Sequence, residues 1–170
     1  MTVANDVIAS SSDIFRAQNG EDWWLDAYFG HRRRGYFADI GAYDGVNLSN
    51  SYHFKQIGWT GILAEPEPEP EPEPDPDNAE RCCPGSRTFQ CAVVGSASTT
   101  QITFHRAPSW VFSTTHMTDQ HAQRLAGMGG RLDTLTVPAR TLDALLAEAG
   151  GGKVDFVNID VEGGGISCQP

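Results

Sequence analysis

A glycine-rich loop between a predicted strand and a predicted helix constrains this chain more than any other feature. Residues 35–40 (Gly-Tyr-Phe-Ala-Asp-Ile) form a short apolar run that predicts a buried strand, and they lead directly into residues 41–45, Gly-Ala-Tyr-Asp-Gly. A helix is predicted next, from the cap residue Asn47 to Ile57, and residues 59–65 predict a second buried strand. This order is the opening of a doubly wound α/β fold, in which helices cover both faces of a mostly parallel sheet.

Patterning predicts seven further elements along the chain. They are a helix over 19–30, strands over 88–94 and 101–105, a short helix over 118–126, a strand over 132–137, a helix from the cap Thr141 to Gly150 and a strand over 153–160. We expect the strands over 88–94 and 101–105 to form a hairpin at the sheet edge, and Pro138 to stop the strand before it. The apolar set at helical spacing in the first helix (Trp23, Trp24, Leu25, Tyr28 and Phe29) predicts core packing rather than a ligand-stacking face.

An acidic low-complexity segment interrupts this pattern. Residues 66–77 alternate proline with glutamate or aspartate, and six of these acids account for most of the net charge of −10. Each proline disfavours the helical region for the residue before it and donates no hydrogen bond, so the segment is predicted to be an extended, solvated spacer. It is interpreted either as an insertion without a role or as a rigid docking arm.

Composition limits the classes of protein that remain. With 170 residues, of which 39% are hydrophobic, the chain (1–170) is expected to form a single globular domain. No apolar run is long enough to cross a bilayer and the start lacks signal-peptide features, so a cytoplasmic protein without membrane contact is expected. The short basic cluster over 32–34 does not indicate a nucleic-acid partner. The four cysteines show no metal-ligand spacing, which favours free thiols over a zinc site, with Cys91 packed in the core.

The loop and the second strand together favour a nucleoside-binding site over a plain turn. Glycines in Asp39-x-Gly41-x-x-x-Gly45 allow a close approach of backbone to ligand, and Glu65 at the end of the next strand can accept hydrogen bonds from a ribose diol. The glycine spacing of a pyrophosphate-binding loop is absent, and Asp39 and Asp44 would repel such an anion. They suit a cationic ligand such as S-adenosylmethionine. A nicotinamide-dependent oxidoreductase is the alternative that shares the strand-loop-helix-acid order.

At this point the sequence resembles the FkbM-type methyltransferases, which are class I enzymes that depend on S-adenosylmethionine. The resemblance consists of short motifs that occur in order along the chain. They are Gln18-Asn19-Gly20-Glu21-Asp22, the run from Phe37 to Val46, Leu48-Ser49-Asn50, Gly58-Trp59-Thr60-Gly61, Ala64-Glu65-Pro66, Cys91-Ala92-Val93, the run from Val137 to Asp143, and Ile159-Asp160-Val161-Glu162-Gly163.

The resemblance implies a role for each matching residue. On a Rossmann-like sheet, Asp39, Gly41 and Gly45 would line the methionine end of S-adenosylmethionine, and Tyr43 and Asp44 would also bind the cofactor. Glu65 would hold the ribose hydroxyls, and Ala92 would lie near the adenine. Asp160 and Glu162 would lie at the mouth of the active site. Either could remove the proton of the acceptor or orient it, or Asp160 could tune the cofactor site while Glu162 caps a following helix. The implied reaction is methylation of a hydroxyl on a sugar or a secondary metabolite. His53, His105, His116 and His121 are alternative bases.

The chain also departs from the family pattern in two places. The Glu-Pro alternation displaces the helix that follows Ala64-Glu65-Pro66 in the family, and the chain ends soon after Gly163, where family members continue into a helix and further strands. The sheet is therefore expected to be incomplete in its C-terminal half and to self-associate through an exposed strand edge. A non-catalytic remnant or interaction module that retains the fold is the alternative function.

Overall fold

Three helices and seven strands make up the described part of the chain, which in this computed structural model comprises residues 14–67, 85–107, 113 and 133–161. The helices are α1 (Glu21–Tyr28), α2 (Tyr52–Gln56) and α3 (Leu142–Ala149). The strands are β1 (Tyr36–Ile40), β2 (Thr60–Ala64), β3 (Arg87–Phe89), β4 (Ala92–Val93), β5 (Gln101–Arg106), β6 (Asp133–Arg140) and β7 (Phe156–Ile159). The predicted short helix over 118–126 lies outside the described residues.

A four-stranded parallel sheet forms the centre of the fold, in the order β3-β2-β1-β7. In the register of β1, Asp39 pairs with Leu63 of β2 on one side and with Asn158 of β7 on the other. Because all four strands run the same way, their carboxyl ends meet along one edge, where parallel α/β sheets bind ligands. The predicted Rossmann-like, mostly parallel α/β fold is confirmed.

Helices cover both faces of this sheet, as the alternation of side chains along β1 and β2 requires. One face buries Ala38, Ile62 and Leu145, with α3 packed against it. The opposite face buries Phe37, Phe54 and Trp59. The predicted helix boundary at Thr141 is confirmed, since its Oγ1 accepts a hydrogen bond from the Ala144 N–H at 3.3 Å. Cys91 is buried and free, which agrees with its predicted core packing.

The apolar residues of α1 and of its C-cap position, Phe29, divide between core and surface. Leu25 and Phe29 pack against the core, whereas Trp23, Trp24 and Tyr28 are exposed by 51, 68 and 81%. The prediction that the whole apolar set packs in the core is therefore wrong for three residues. Eight helical residues span only about two turns, so one narrow stripe is enough to cover the sheet beneath them.

Helix α2 is shorter than predicted. The predicted helix starts at Asn47, but the structure has only the five residues of α2, and its N-cap position is Ser51. The Asp44 carboxylate accepts hydrogen bonds from the N–H groups of Val46 and Asn47 at 2.9 and 2.8 Å. These bonds hold the loop in a turn, and the positive φ of 55° at Leu48 delays the helix further.

A second, three-stranded sheet in the order β4-β6-β5 was not predicted. The single strand predicted over 88–94 is instead divided into β3 and β4, which belong to different sheets. The predicted hairpin is wrong, because β5 pairs antiparallel with β6, and β6 lies between β5 and β4. Pro138 does not stop β6. Strand β4 pairs with Ala139 and Arg140, which follow Pro138 in β6. Pro138 has no N–H group, but it therefore removes no hydrogen bond between β6 and β4.

Strand β7 lies at the edge of the four-stranded sheet and exposes apolar side chains. Val157 and Ile159 alternate along it and are exposed by 43 and 47%. The self-association expected from the sequence would use this edge, and it stays a prediction. Among the described residues, none of the helices has the length and apolar character that crossing a bilayer requires.

Candidate active site

A cavity of about 170 Å³ lies where β1, β2 and β7 end. The loop after β1 contributes Gly41 and Tyr43, the end of β2 contributes Glu65, and Asp160 follows β7. Phe104 of β5 lines it from the second sheet. The cavity therefore occupies the carboxyl edge of the parallel strands and is bounded by both sheets.

Gly41 is required by close packing between two backbone segments. Its φ of 80° is rarely adopted by residues with a side chain, and a Cβ atom there would overlap the carbonyl oxygen of Asp160. The Gly41 N–H donates to the Ala64 carbonyl at 2.8 Å, and the Asp160 N–H donates to the Ile40 carbonyl at 2.8 Å. These two bonds join the ends of three strands and fix the loop that lines the cavity.

Asp39 is a buried carboxylate at the base of the site, exposed by only 1%. The Ser51 hydroxyl donates to its Oδ2 at 2.5 Å, and the Asn158 side-chain amide donates to its Oδ1 at 2.9 Å. Burial raises the pKa of Asp39, while these hydrogen bonds and the positive charge of Lys55 act in the opposite direction. The side chain thus connects β1, the start of α2 and β7 at one point below the cavity.

Glu65 is held in place by two backbone amides. Its Oε2 accepts from the Tyr43 N–H and its Oε1 from the Glu67 N–H, both at 2.9 Å. Burial raises the pKa of the Glu65 carboxyl, an effect that the two amide hydrogen bonds partly offset. A carboxylate has about four acceptor positions, so a fixed Glu65 can still accept hydrogen bonds from a ligand diol.

Asp44, Gly45 and Lys55 shape the loop rather than line the cavity. The Asp44 carboxylate binds the backbone of its own turn, as described above. Gly45 has a φ of 66°, and its carbonyl accepts a hydrogen bond from the Lys55 ammonium. Lys55 is exposed by only 4%, so a buried cation anchors the far end of the loop.

The structure brings together five of the residues predicted from the sequence. Asp39, Gly41, Tyr43, Glu65 and Asp160 all line the cavity. Three others do not line it, since Asp44 and Gly45 support the loop and Ala92 packs with Phe104 and Val137 in the core of the second sheet. Glu162 lies outside the described residues.

Several residues of the site were not singled out from the sequence. Asn158 links Asp39 to Asn50, because its Nδ2 donates to Asp39 and its Oδ1 accepts from the Asn50 Nδ2 at 3.0 Å. The sequence feature that could have identified Asn158 is its amide side chain within an otherwise apolar strand. Glu67 also lines the cavity, although the sequence assigns it to the Glu-Pro spacer.

The predicted alternative bases do not reach the cavity where the structure describes them. His53 is buried, with its Nε2 3.4 Å from an Asp26 carboxylate oxygen and its ring stacked on Phe15. His105 lies in β5 with its Nδ1 3.4 Å from the Thr134 hydroxyl. His116 and His121 lie outside the described residues. Within the described ranges, no three His, Cys, Asp or Glu side chains are placed so that they could hold a metal ion together.

Lowering the pH from 7 to 5 is expected to raise the free energy of unfolding through Asp39 and Glu65. Burial raises the pKa of both in the folded chain, so at pH values above the unfolded pKa values the folded state binds more protons than the unfolded state. Their stabilising contribution is complete below the unfolded values of 3.8 and 4.5 and is lost as the pH rises through the folded values. Asp155, whose pKa is lowered chiefly by its hydrogen bond with Arg32, loses its contribution only at lower pH. Urea unfolding at pH 5, 6 and 7 measures the slope.

The matched variant for this measurement is Glu65→Gln, which cannot titrate. We expect its unfolding free energy to change less with pH than that of the wild type. An equal slope in the two proteins would contradict the assignment of the effect to this carboxyl.

Comparison with known proteins agrees with the site's position in the chain. The family model for the methyltransferase FkbM domain matches residues 39–168, a range that begins at Asp39, includes Glu65 and continues past Asp160. No curated protein and no solved structure gives a significant match to the chain. The matched range covers well over half of the 170 residues. It includes the end of β1, the whole of β2, β3 and β7, and every residue that lines the cavity except Gln18. The chain therefore belongs to the FkbM methyltransferase domain family.

Proposed function

We propose that the chain binds S-adenosylmethionine in the cavity and transfers its methyl group to a hydroxyl of a small molecule, such as a sugar or a secondary metabolite. The observation that supports this most directly is Glu65, a fixed carboxylate at the end of β2 beside the loop closed by Gly41. A carboxylate at this position in an α/β sheet is suited to accept hydrogen bonds from both ribose hydroxyls.

The charges around the cavity fit a cationic ligand. Four carboxylates line it, from Asp39, Glu65, Glu67 and Asp160, and no lysine, arginine or histidine is among the described residues that do so. Such a lining attracts a sulfonium and an ammonium group and repels a pyrophosphate. This charge pattern favours S-adenosylmethionine over a nicotinamide dinucleotide.

When bound, S-adenosylmethionine supplies a methyl group activated by its sulfonium. The residues of the chain then have three tasks: to bind, to orient and to accept a proton. Glu65 holds the ribose, and the network of Asp39, Ser51 and Asn158 fixes the loop that surrounds the ligand. Asp160, which follows β7, lines the cavity and is exposed to solvent, accepts the proton of the attacking hydroxyl.

Replacing Glu65 by alanine is expected to weaken the binding of S-adenosylhomocysteine about tenfold or more, the effect of losing a charged hydrogen-bond acceptor. Calorimetric titration of the wild type, Glu65→Ala and Asp143→Ala measures it. Asp143→Ala is the control, because it removes the same charge from the exposed first turn of α3.

The outcomes of this titration separate the candidate functions. Absence of binding to the folded wild type, or equal binding to Glu65→Ala, would contradict the proposal. Saturable binding without methyl transfer to any hydroxyl compound would identify the chain as a cofactor-binding module rather than an enzyme.

A further inference from the structure

The first two residues of the acidic segment, Pro66 and Glu67, belong to the cavity. Pro66 and Glu67 both line it, next to Phe104 and Ser113. The Glu67 backbone N–H is bound to Glu65 Oε1, so the residue follows the ribose-binding carboxylate in a fixed position. This part of the cavity has no assigned role, because Ala92, which the sequence places near the adenine, does not line it.

The Glu67 carboxylate is oriented by a short chain of hydrogen bonds. The Ala107 N–H donates to the Ser113 hydroxyl oxygen at 3.1 Å, and the Ser113 hydroxyl hydrogen-bonds the Glu67 carboxylate. Ser113 is exposed by only 8%, so this contact is sheltered from water. Arg106 adds an attractive charge from β5. A serine hydroxyl has one proton to donate, and Ser113 gives it to Glu67.

The resulting corner of the cavity combines apolar surface with an acceptor. Pro66 and Phe104 provide the apolar surface, and Glu67 keeps acceptor positions that Ser113 does not fill. A flat aromatic ring, whose faces pack against apolar side chains and whose edge bears a hydrogen-bond donor, matches this combination. Adenine is such a ring, with its exocyclic amino group as the donor.

We propose that Glu67 recognises the base of the cofactor by accepting a hydrogen bond from the exocyclic amino group of adenine, with Ser113 as the residue that positions Glu67. This rests on the proposed function, since it takes the cavity to hold S-adenosylmethionine. It assigns base recognition to the residue two positions after Glu65.

Comparison of S-adenosylhomocysteine with S-inosylhomocysteine tests the assignment. The second ligand carries a carbonyl in place of the amino group, so it presents an acceptor to the carboxylate. We expect the wild type to bind S-adenosylhomocysteine at least about tenfold more tightly. Glu67→Gln is expected to bring this ratio close to one, because its amide can donate to the inosine carbonyl. The control Asp133→Asn removes the exposed ion-pair partner of Arg106, 3.1 Å away, and should keep the wild-type ratio.

Each outcome decides one question. If the wild type binds neither ligand, the proposed function fails. If the wild type binds S-adenosylhomocysteine but Glu67→Gln keeps its base preference, or weakens both ligands equally, the inference about Glu67 is overturned while the proposed function stands. Should Glu67→Gln not fold, Ser113→Ala tests the same assignment. A reduced ratio in that variant supports it, and an unchanged ratio overturns it.

Discussion

Replacing Gly41 by alanine is expected to abolish the proposed binding of S-adenosylhomocysteine and to lower the free energy of unfolding by about 2–4 kcal/mol, the combined size of a strained φ and an overpacked contact. The new Cβ atom would overlap the Asp160 carbonyl oxygen, and neither backbone segment can retreat, because the N–H groups of Gly41 and Asp160 are bonded to neighbouring strands. Urea unfolding and titration with S-adenosylhomocysteine measure the two effects.

Gly95→Ala is the matched control for this substitution. A Cβ atom on Gly95 meets nothing within 4 Å, and its φ lies outside the range that penalises side chains. We expect it to leave stability and binding unchanged within about 0.5 kcal/mol. If Gly41→Ala bound S-adenosylhomocysteine with the affinity of the wild type, the prediction would be contradicted, because the loop would then have moved away from Asp160 without loss of binding.

Replacing Asp39 by alanine is expected to lower the free energy of unfolding by about 2–4 kcal/mol, because it leaves buried donors without their acceptor. The Ser51 hydroxyl and the Asn158 amide both donate to this carboxylate, and the buried Lys55 loses an attractive charge. Binding of S-adenosylhomocysteine should fall as well, since the loop above Asp39 is no longer fixed. Denaturant unfolding and calorimetry provide the two readouts.

A double-mutant cycle tests whether this loss comes from the hydrogen-bonded network. Ser51→Ala removes one donor, and in the Asp39→Ala background it should cost less than in the wild type, with a coupling energy of about 0.5–3 kcal/mol. Strictly additive losses would instead assign the effect of Asp39→Ala to the cavity that the substitution creates.

The sequence predicts the parts of this protein that depend on local pattern. Asp39, Gly41 and Glu65 occupy a strand end, a positive-φ turn and the next strand end, and neighbouring parallel strands necessarily place such residues together. The continuous apolar runs of β1 and β2 likewise predict buried strands in a central sheet that is covered on both faces. Strands β1 and β2 follow each other along the sequence and are also neighbours in the sheet.

What the sequence does not predict depends on contacts between distant segments. The second sheet arises because β6 pairs with both β4 and β5, and no local signal distinguishes this arrangement from the hairpin that the chain order suggests. The position of Ala92 also depends on this pairing of distant segments, because Ala92 packs in the core of the second sheet rather than in the cavity. Ser113 lies 46 positions after Glu67, so their contact cannot be inferred from spacing.

The two sheets meet at the cavity, so a bound ligand would stabilise their relative position. Gly41 and Asp160 belong to the ends of the parallel sheet, whereas Phe104 belongs to the mixed sheet, so any molecule that fills the cavity touches both. A ligand present at a hundred times its Kd adds about 2.7 kcal/mol to the stability of the form that binds it. That form is the one in which the two sheets are correctly placed. Cofactor concentration would therefore govern how far the two sheets behave as one cooperative unit.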